Sequence, residues 1–234
     1  LGRIVSVGQR VTGDPRRPPV EPAMPGVVRV FDPYCYRCSF GLTYPGCDLR
    51  CAQSVEEVIQ YETPETVAAV LVESVVGSNG LIVPPDGYMQ RLREICTRNG
   101  VLLIADEVMS GFGRTGKWFA VDHWNVVPDM IVMAKGLTAG YVPLGAIALS
   151  KKITDVLDKQ MLYAGLTYNA HPLSCAAAIA TLKVYREDKL LENAVAMGEV
   201  IRREFEAMKA KHRSVGDVRG LGLFWALELV KDKK

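Results

Sequence analysis

The sequence predicts an α/β protein built on a three-layer, mostly parallel sheet, and three observations carry that prediction. Four apolar runs, "TVAAVLVE", "VLLIADE", "DMIVMAK" and "LGAIALS", are continuous rather than alternating, as strands covered on both faces are. Helical patterns separate or follow them. The second run ends in charge at Asp106-Glu107 and the third at Lys135. Open α/β sheets gather their functional groups at such carboxyl ends.

The elements follow in order. From Val11 to about Gln53 the chain is rich in Pro, Gly and Cys without a sustained period. That predicts a long ordered excursion, in which Phe31, Tyr34, Tyr36 and Phe40 need burial. "SVEEVIQYE" predicts a short helix capped by Ser54, with Glu57 three positions on. "TVAAVLVE" is the first strand, and "PPDGYMQRLREICTRNG" is a helix closed by Asn99-Gly100. "VLLIADE", "DMIVMAK" and "LGAIALS" supply three more strands. Two long helices follow, roughly His171–Glu187 and Lys189–His212, and "VGDVRGLGLFWALELV" closes the chain as a Gly-containing turn into a strand.

Composition narrows the class. The chain has 234 residues, 49% apolar and 23% charged, enough for one large α/β domain or two small ones. A net charge of +2 argues for neither nucleic acid nor a membrane surface. No apolar run approaches the ~20 residues of a membrane span, and "LGRIVSVGQR" lacks the apolar core of a signal peptide. Cys96 and Cys175 fall inside helical patterns, which does not suit a secreted disulfide scaffold, so a cytoplasmic location is expected.

Four of the six cysteines, Cys35, Cys38, Cys47 and Cys51, form C-x2-C, an eight-residue gap and C-x3-C. Thiolates in such pairs can close a zinc shell or hold an iron–sulfur centre. The gap is shorter than the usual distance between zinc half-sites, and no His stands in as a ligand. Structural thiols, free or partly paired, and no metal are expected.

An acid and an amine at neighbouring strand ends would project into one crevice, although first polar residues after buried strands are often plain solvated turns. A magnesium-dependent ATPase is a competing reading. "LLIADE" has the form of its acid-bearing strand, and "GFGRTGKW" nearly satisfies G-x4-G-K-[ST]. Trp118 replaces the hydroxyl that should meet magnesium, and no strand precedes the loop. The ATPase reading fails.

Taken in order, "LLIADEVMSGFGRTGKWFA", "VPDMIVMAKGL", "YVPLGAIALS" and "GLTYNAHPLSCAAA" resemble the class III aminotransferases, pyridoxal-phosphate (PLP) enzymes of fold type I. "VRGLGLFWALEL" resembles the start of their C-terminal small domain, an α+β unit. The Pro/Cys-rich stretch resembles an insertion seen in some members. The resemblance implies that Lys135 holds the PLP aldehyde covalently and shuttles protons, for which its pKa of about 10.4 must fall by burial beside the cationic cofactor. It implies that Asp106 pairs with the pyridine nitrogen, that Val108 presses on a ring face, and that Thr167 gives its hydroxyl to the phosphate across a homodimer interface. Glu73 matches a family acid at the edge of the site, and His171 is expected to be structural.

Members that use glutamate- or ornithine-type partners commonly carry Glu where this chain has Ser78, and often Gln where it has Met109. Both departures resemble the branch that takes pyruvate as acceptor and ω-amino acids, taurine or simple amines as donors. The expectation is transfer of an amino group from a primary amine or ω-amino acid to pyruvate or another 2-oxo acid. An aminomutase, a decarboxylating transaminase and an inactive dimer-forming fragment are the alternatives. The family's Gly-Ser-rich phosphate loop and its stacking aromatic have no counterpart here, and most of the small domain would lie beyond Lys234. The chain is therefore expected to be partial. Residues 1–185 would be a PLP-binding large domain lacking its N-terminal part, with the Cys-rich insertion at about 12–53. Residues 186–212 would be a connecting helix and 213–234 the start of the small domain.

Overall fold

The computed structural model describes residues 25–233. The segment "LGRIVSVGQR" and the first part of the Pro/Cys-rich excursion lie outside the described residues.

The first helix of the described residues, α1, spans Arg50–Tyr61 and begins a turn before the expected Ser54 cap. Burial explains the earlier start: Cys51, Ala52, Val55 and Ile59 lie on one buried stripe, so the turn before Ser54 already packs. Ser54 donates back to the Cys51 carbonyl at 2.8 Å, and Glu57 makes a two-pronged pair with Arg50 instead of a capping box. Strand β1 (Ala69–Glu73) follows, then α2 (Tyr88–Arg98) and β2 (Leu102–Asp106). Next come β3 (Met130–Met133), β4 (Ala146–Leu149) and a short helix α3 (Lys151–Leu157) with no forecast in the sequence.

These strands form one sheet in the order β1-β2-β3-β4. The first three are parallel and β4 runs antiparallel to β3, so the sheet is mixed and mostly parallel. Leu103 and Ala105 of β2 are fully buried and share a core with Val55 and Ile59 of α1 and Met89, Leu92 and Ile95 of α2. The same face carries Met133 and Ala146, which pack beside Ala178 and Leu182 of the next helix. The opposite face holds Leu71 and Ile147, 50% and 61% exposed. Among the described residues, then, one face of the sheet is well covered and the other is partly open.

Helices α4 (Pro172–Glu187) and α5 (Leu190–Lys211) match the two expected long helices. The C-terminal stretch is a hairpin rather than a turn and one strand, because "VGDVRGL" is itself extended. Strands β5 (Val215–Leu221) and β6 (Phe224–Leu229) pair antiparallel as a separate two-stranded sheet against α5. In the excursion, Tyr34, Tyr36 and Phe40 are partly buried as expected. Phe31 remains 59% exposed and meets Phe40 edge-on at 5.4 Å.

Candidate active site

Parallel pairing brings the carboxyl ends of β1, β2 and β3 to one edge. The register sets Glu73 beside Asp106 and Asp106 beside Val132, three residues before Lys135. The two acids that end β2 separate completely. Glu107 is fully buried and accepts hydrogen bonds from the Ser110 hydroxyl (2.6 Å) and from the Ala120 and Val121 amides (3.0 and 2.9 Å). Those donors satisfy its charge and anchor the single helical turn Ala120–His123. Asp106 is half-buried, and its Oδ1 accepts the Val108 amide at 2.9 Å. Among the described residues its carboxylate joins no salt bridge. Of these two acids, Asp106 alone keeps a carboxylate oxygen without a hydrogen-bond partner among the described residues.

Lys135 opens a single helical turn, Lys135–Leu137, with φ at 39°. Left-handed backbone at a non-glycine residue is strained and persists only where the surroundings enforce it. Two contacts at the next residue enforce it here. A Cβ at Gly136 would come within 2.8 Å of the Phe112 Cβ, so the turn sits directly on that ring, and the Tyr185 hydroxyl of α4 donates to the Gly136 carbonyl at 3.1 Å. Phe112 and Tyr185 are the site-shaping residues that sequence reasoning misses. The burial expected around Lys135 is not present in this chain: its side chain is exposed and has no ion-pair partner among the described residues.

The rim is built from β1 and the residues after it. Glu73 accepts the Gly77 amide at 2.9 Å, Met109 lies on Gly77, and the Ser78 hydroxyl is 3.9 Å from the Met109 sulfur. Thr167 lies in an exposed turn before α4, and no hydrogen bond joins it to Lys135 or Asp106 among the described residues. Around it Met161, Tyr163, Leu166 and Tyr168 are each more than 75% exposed. His171 precedes α4 and packs beside Tyr168, ring centroids 6.2 Å apart.

The glycines of "GFGRTGKW" do not cradle phosphate. The Phe112, Gly113 and Gly116 amides donate to carbonyls within the loop, at 2.7, 3.1 and 2.9 Å. No disulfide joins the cysteines among the described residues, and burial pushes the Cys51 thiol up to about 11. Among the described residues no group of three His, Cys, Asp or Glu side chains is arranged to hold a metal ion.

The Aminotransferase class-III family model matches residues 17–234. The putrescine–pyruvate aminotransferase of Pseudomonas aeruginosa is 38% identical over 213 residues, 90% of this chain and 46% of its own length. An omega-aminotransferase of Caulobacter vibrioides is 45% identical over 197 residues, 82% of this chain and 44% of its own. A crystal structure of taurine:2-oxoglutarate aminotransferase from Bifidobacterium kashiwanohense, in complex with PLP and glutamate, superposes with a TM-score of 0.91 at 42% identity. It covers 97% of this chain and 52% of that one. The chain thus spans about half the length of the relatives it matches. It belongs to the class-III aminotransferase family.

Proposed function

We propose that this chain carries the catalytic lysine and aspartate of a PLP-dependent transaminase, which moves an amino group from an ω-amino acid or primary amine to pyruvate or another 2-oxo acid. One observation carries the reading: Asp106 ends β2 and Lys135 follows the end of the adjacent β3 at the same edge, and neither side chain joins a salt bridge among the described residues. Both oxygens of Glu107 beside them accept internal hydrogen bonds, so the contrast is built into the fold.

The donor set fits PLP, with an amine for its aldehyde and a carboxylate for its ring nitrogen. PLP, when bound, supplies an aldehyde that captures amines and a ring that accepts electrons. The chain's residues do the rest. Lys135 Nζ holds the cofactor covalently and carries a proton to and from the substrate carbon. Asp106 keeps a proton on the ring nitrogen, and the Val108 amide fixes the orientation of its carboxylate. Val108 packs against the ring, and Thr167 binds the phosphate of a neighbouring subunit in a homodimer.

Ser78 and Met109 at the rim favour a short acceptor without a second carboxylate, such as pyruvate, as the name of the Pseudomonas relative suggests. Residues 1–185 serve as the cofactor-binding domain, 186–212 as the connection and 213–234 as the start of the small domain. The separate β5–β6 sheet supports that division. We place the enzyme in the cytoplasm, whose reducing conditions suit six cysteines that form no disulfide. Among the described residues no helix is long and apolar enough to cross a membrane.

Borohydride reduction of the PLP-treated protein, followed by peptide mass mapping, tests the reading. The reduced cofactor should map to Lys135 and disappear in Lys135→Ala. Labelling of another lysine in its place would sink the assignment. A panel of amines against pyruvate then separates transamination from the aminomutase and decarboxylating alternatives.

A further inference from the structure

Loop 76–82 borders the Asp106 edge and is gripped by a residue 138 positions away. Val76 and Ile82 close the loop with two backbone hydrogen bonds, 3.0 and 2.9 Å. Its tip turns through Gly80 and Leu81, both at positive φ (111° and 57°), which leaves their carbonyls without partners inside the loop. One side chain takes both. Arg219 of β5 donates through Nη2 to the Gly80 carbonyl and through Nε to the Leu81 carbonyl, the latter at 2.9 Å. Its Nη1 donates to Asp217 at 2.9 Å and Glu228 at 2.7 Å. The guanidinium lies over the Tyr34 ring at 4.9 Å, and the Tyr34 hydroxyl donates to the same Glu228. The Arg219 side chain is only 13% exposed, so it is held on every side. The other end of the loop reaches the site, where Glu73 binds the Gly77 amide and Met109 lies on Gly77 next to Ser78.

We propose that Arg219 is a positioning residue for the substrate rim formed by Ser78 and Met109. It locks loop 76–82 to the β5–β6 hairpin, so the rim and the hairpin move as one body. Lysine cannot substitute, because a compact ammonium cannot span two carbonyls and two carboxylates at once. The substrate side of this inference rests on the transaminase reading; the mechanical side rests on the contacts alone.

Hydrogen exchange read by mass spectrometry tests the mechanical side without cofactor or substrate. In the unmutated protein, peptide 76–82 should exchange at the rate of the hairpin peptides; exchange more than about tenfold faster overturns the proposal. Arg219→Met and Arg219→Lys should each accelerate exchange of 76–82 by about tenfold or more. Tyr34→Phe removes a contact of the same cluster but leaves both carbonyl bonds, so it should leave that exchange unchanged. An equal acceleration in Tyr34→Phe would mean that the cluster merely stabilises the hairpin, and the proposal falls. In steady-state kinetics, Arg219→Lys should raise KM for the 2-oxo acid about tenfold while kcat changes less than about twofold and Lys135 still labels. Accelerated exchange with an unmoved KM also overturns it. A protein that never labels Lys135 defeats the transaminase reading, and the exchange rates still decide whether Arg219 holds the loop.

Discussion

At the scale of single residues, the two carboxylates after β2 show how one strand end divides its labour. Glu107 accepts from three internal donors, while Asp106 accepts one amide through Oδ1 and joins no salt bridge among the described residues. Asparagine can still accept the Val108 amide through its carbonyl oxygen, so Asp106→Asn should fold and load PLP. It cannot hold a proton on the ring nitrogen, and turnover should fall by about 100-fold or more. Near-normal rates in the purified variant would remove Asp106 from the mechanism. Asp129, just before β3, makes a different prediction. Its Oδ2 accepts the Leu103 amide (2.8 Å) and the Arg93 guanidinium (2.7 Å). Burial alone would raise its pKa, but these donors outweigh burial and hold it below its ordinary 3.8. A pKa lowered by folding contributes stability above the unfolded value, and that stability is lost as pH falls through the folded one. Asp129→Asn should therefore cost about 2–3 kcal/mol near neutral pH. It should also flatten the loss of stability below about pH 4. A urea titration at several pH values checks both. Lys135 and Asp106 are legible in the sequence because each directly follows an apolar run. The roles of Tyr185, Phe112 and Arg219 are not, since their partners lie far along the chain and leave no local pattern.

At the scale of elements, periodicity locates the four strands of the sheet and both long helices, yet it misjudges two boundaries for physical reasons. Helix α1 starts early because Cys51 and Ala52 are buried, and burial overrides the Ser54 cap. Strand β5 escapes notice because its glycines and charges, in "VGDVRGL", do not look like a strand until β6 and α5 lie beside them. The contact between α5 and this hairpin depends on two glycines. A Cβ on Gly198 would come within 2.2 Å of the Gly222 carbonyl oxygen, and Gly222 itself turns at φ 53° against Thr115. Helix and hairpin can touch only while position 198 has no side chain. In an exposed helix Gly→Ala would add stability, but here Gly198→Ala should cost about 1–3 kcal/mol by forcing the elements apart. A thermal melt decides the sign, and a stabilised variant would show that the contact yields easily.

At the scale of the whole molecule, the site as described is open. Lys135 is exposed, and so is the turn expected to serve the cofactor phosphate. The segment around Thr167 presents Met161, Leu162, Tyr163, Leu166 and Tyr168 to the surface, more apolar area than a solvated turn needs. A two-fold dimer would bury that segment twice and place each Thr167 near the partner's Lys135 and Asp106, which gives the exposed rings a purpose. Complementation tests this directly. Lys135→Ala lacks the amine, and Thr167→Arg fills the phosphate position, so each alone should be inactive. Suppose the two variants are mixed under conditions that exchange subunits. Half the dimers are then mixed, and one of the two sites in each combines an intact Lys135 with an intact Thr167. About a quarter of the unmutated activity should return. If each site drew both residues from one chain, every subunit would carry one lesion in its own site and no activity would reappear. Mixed dimers detected by mass spectrometry with no recovered turnover would therefore show that Thr167 does not act across the interface. The exposed segment would then need another partner.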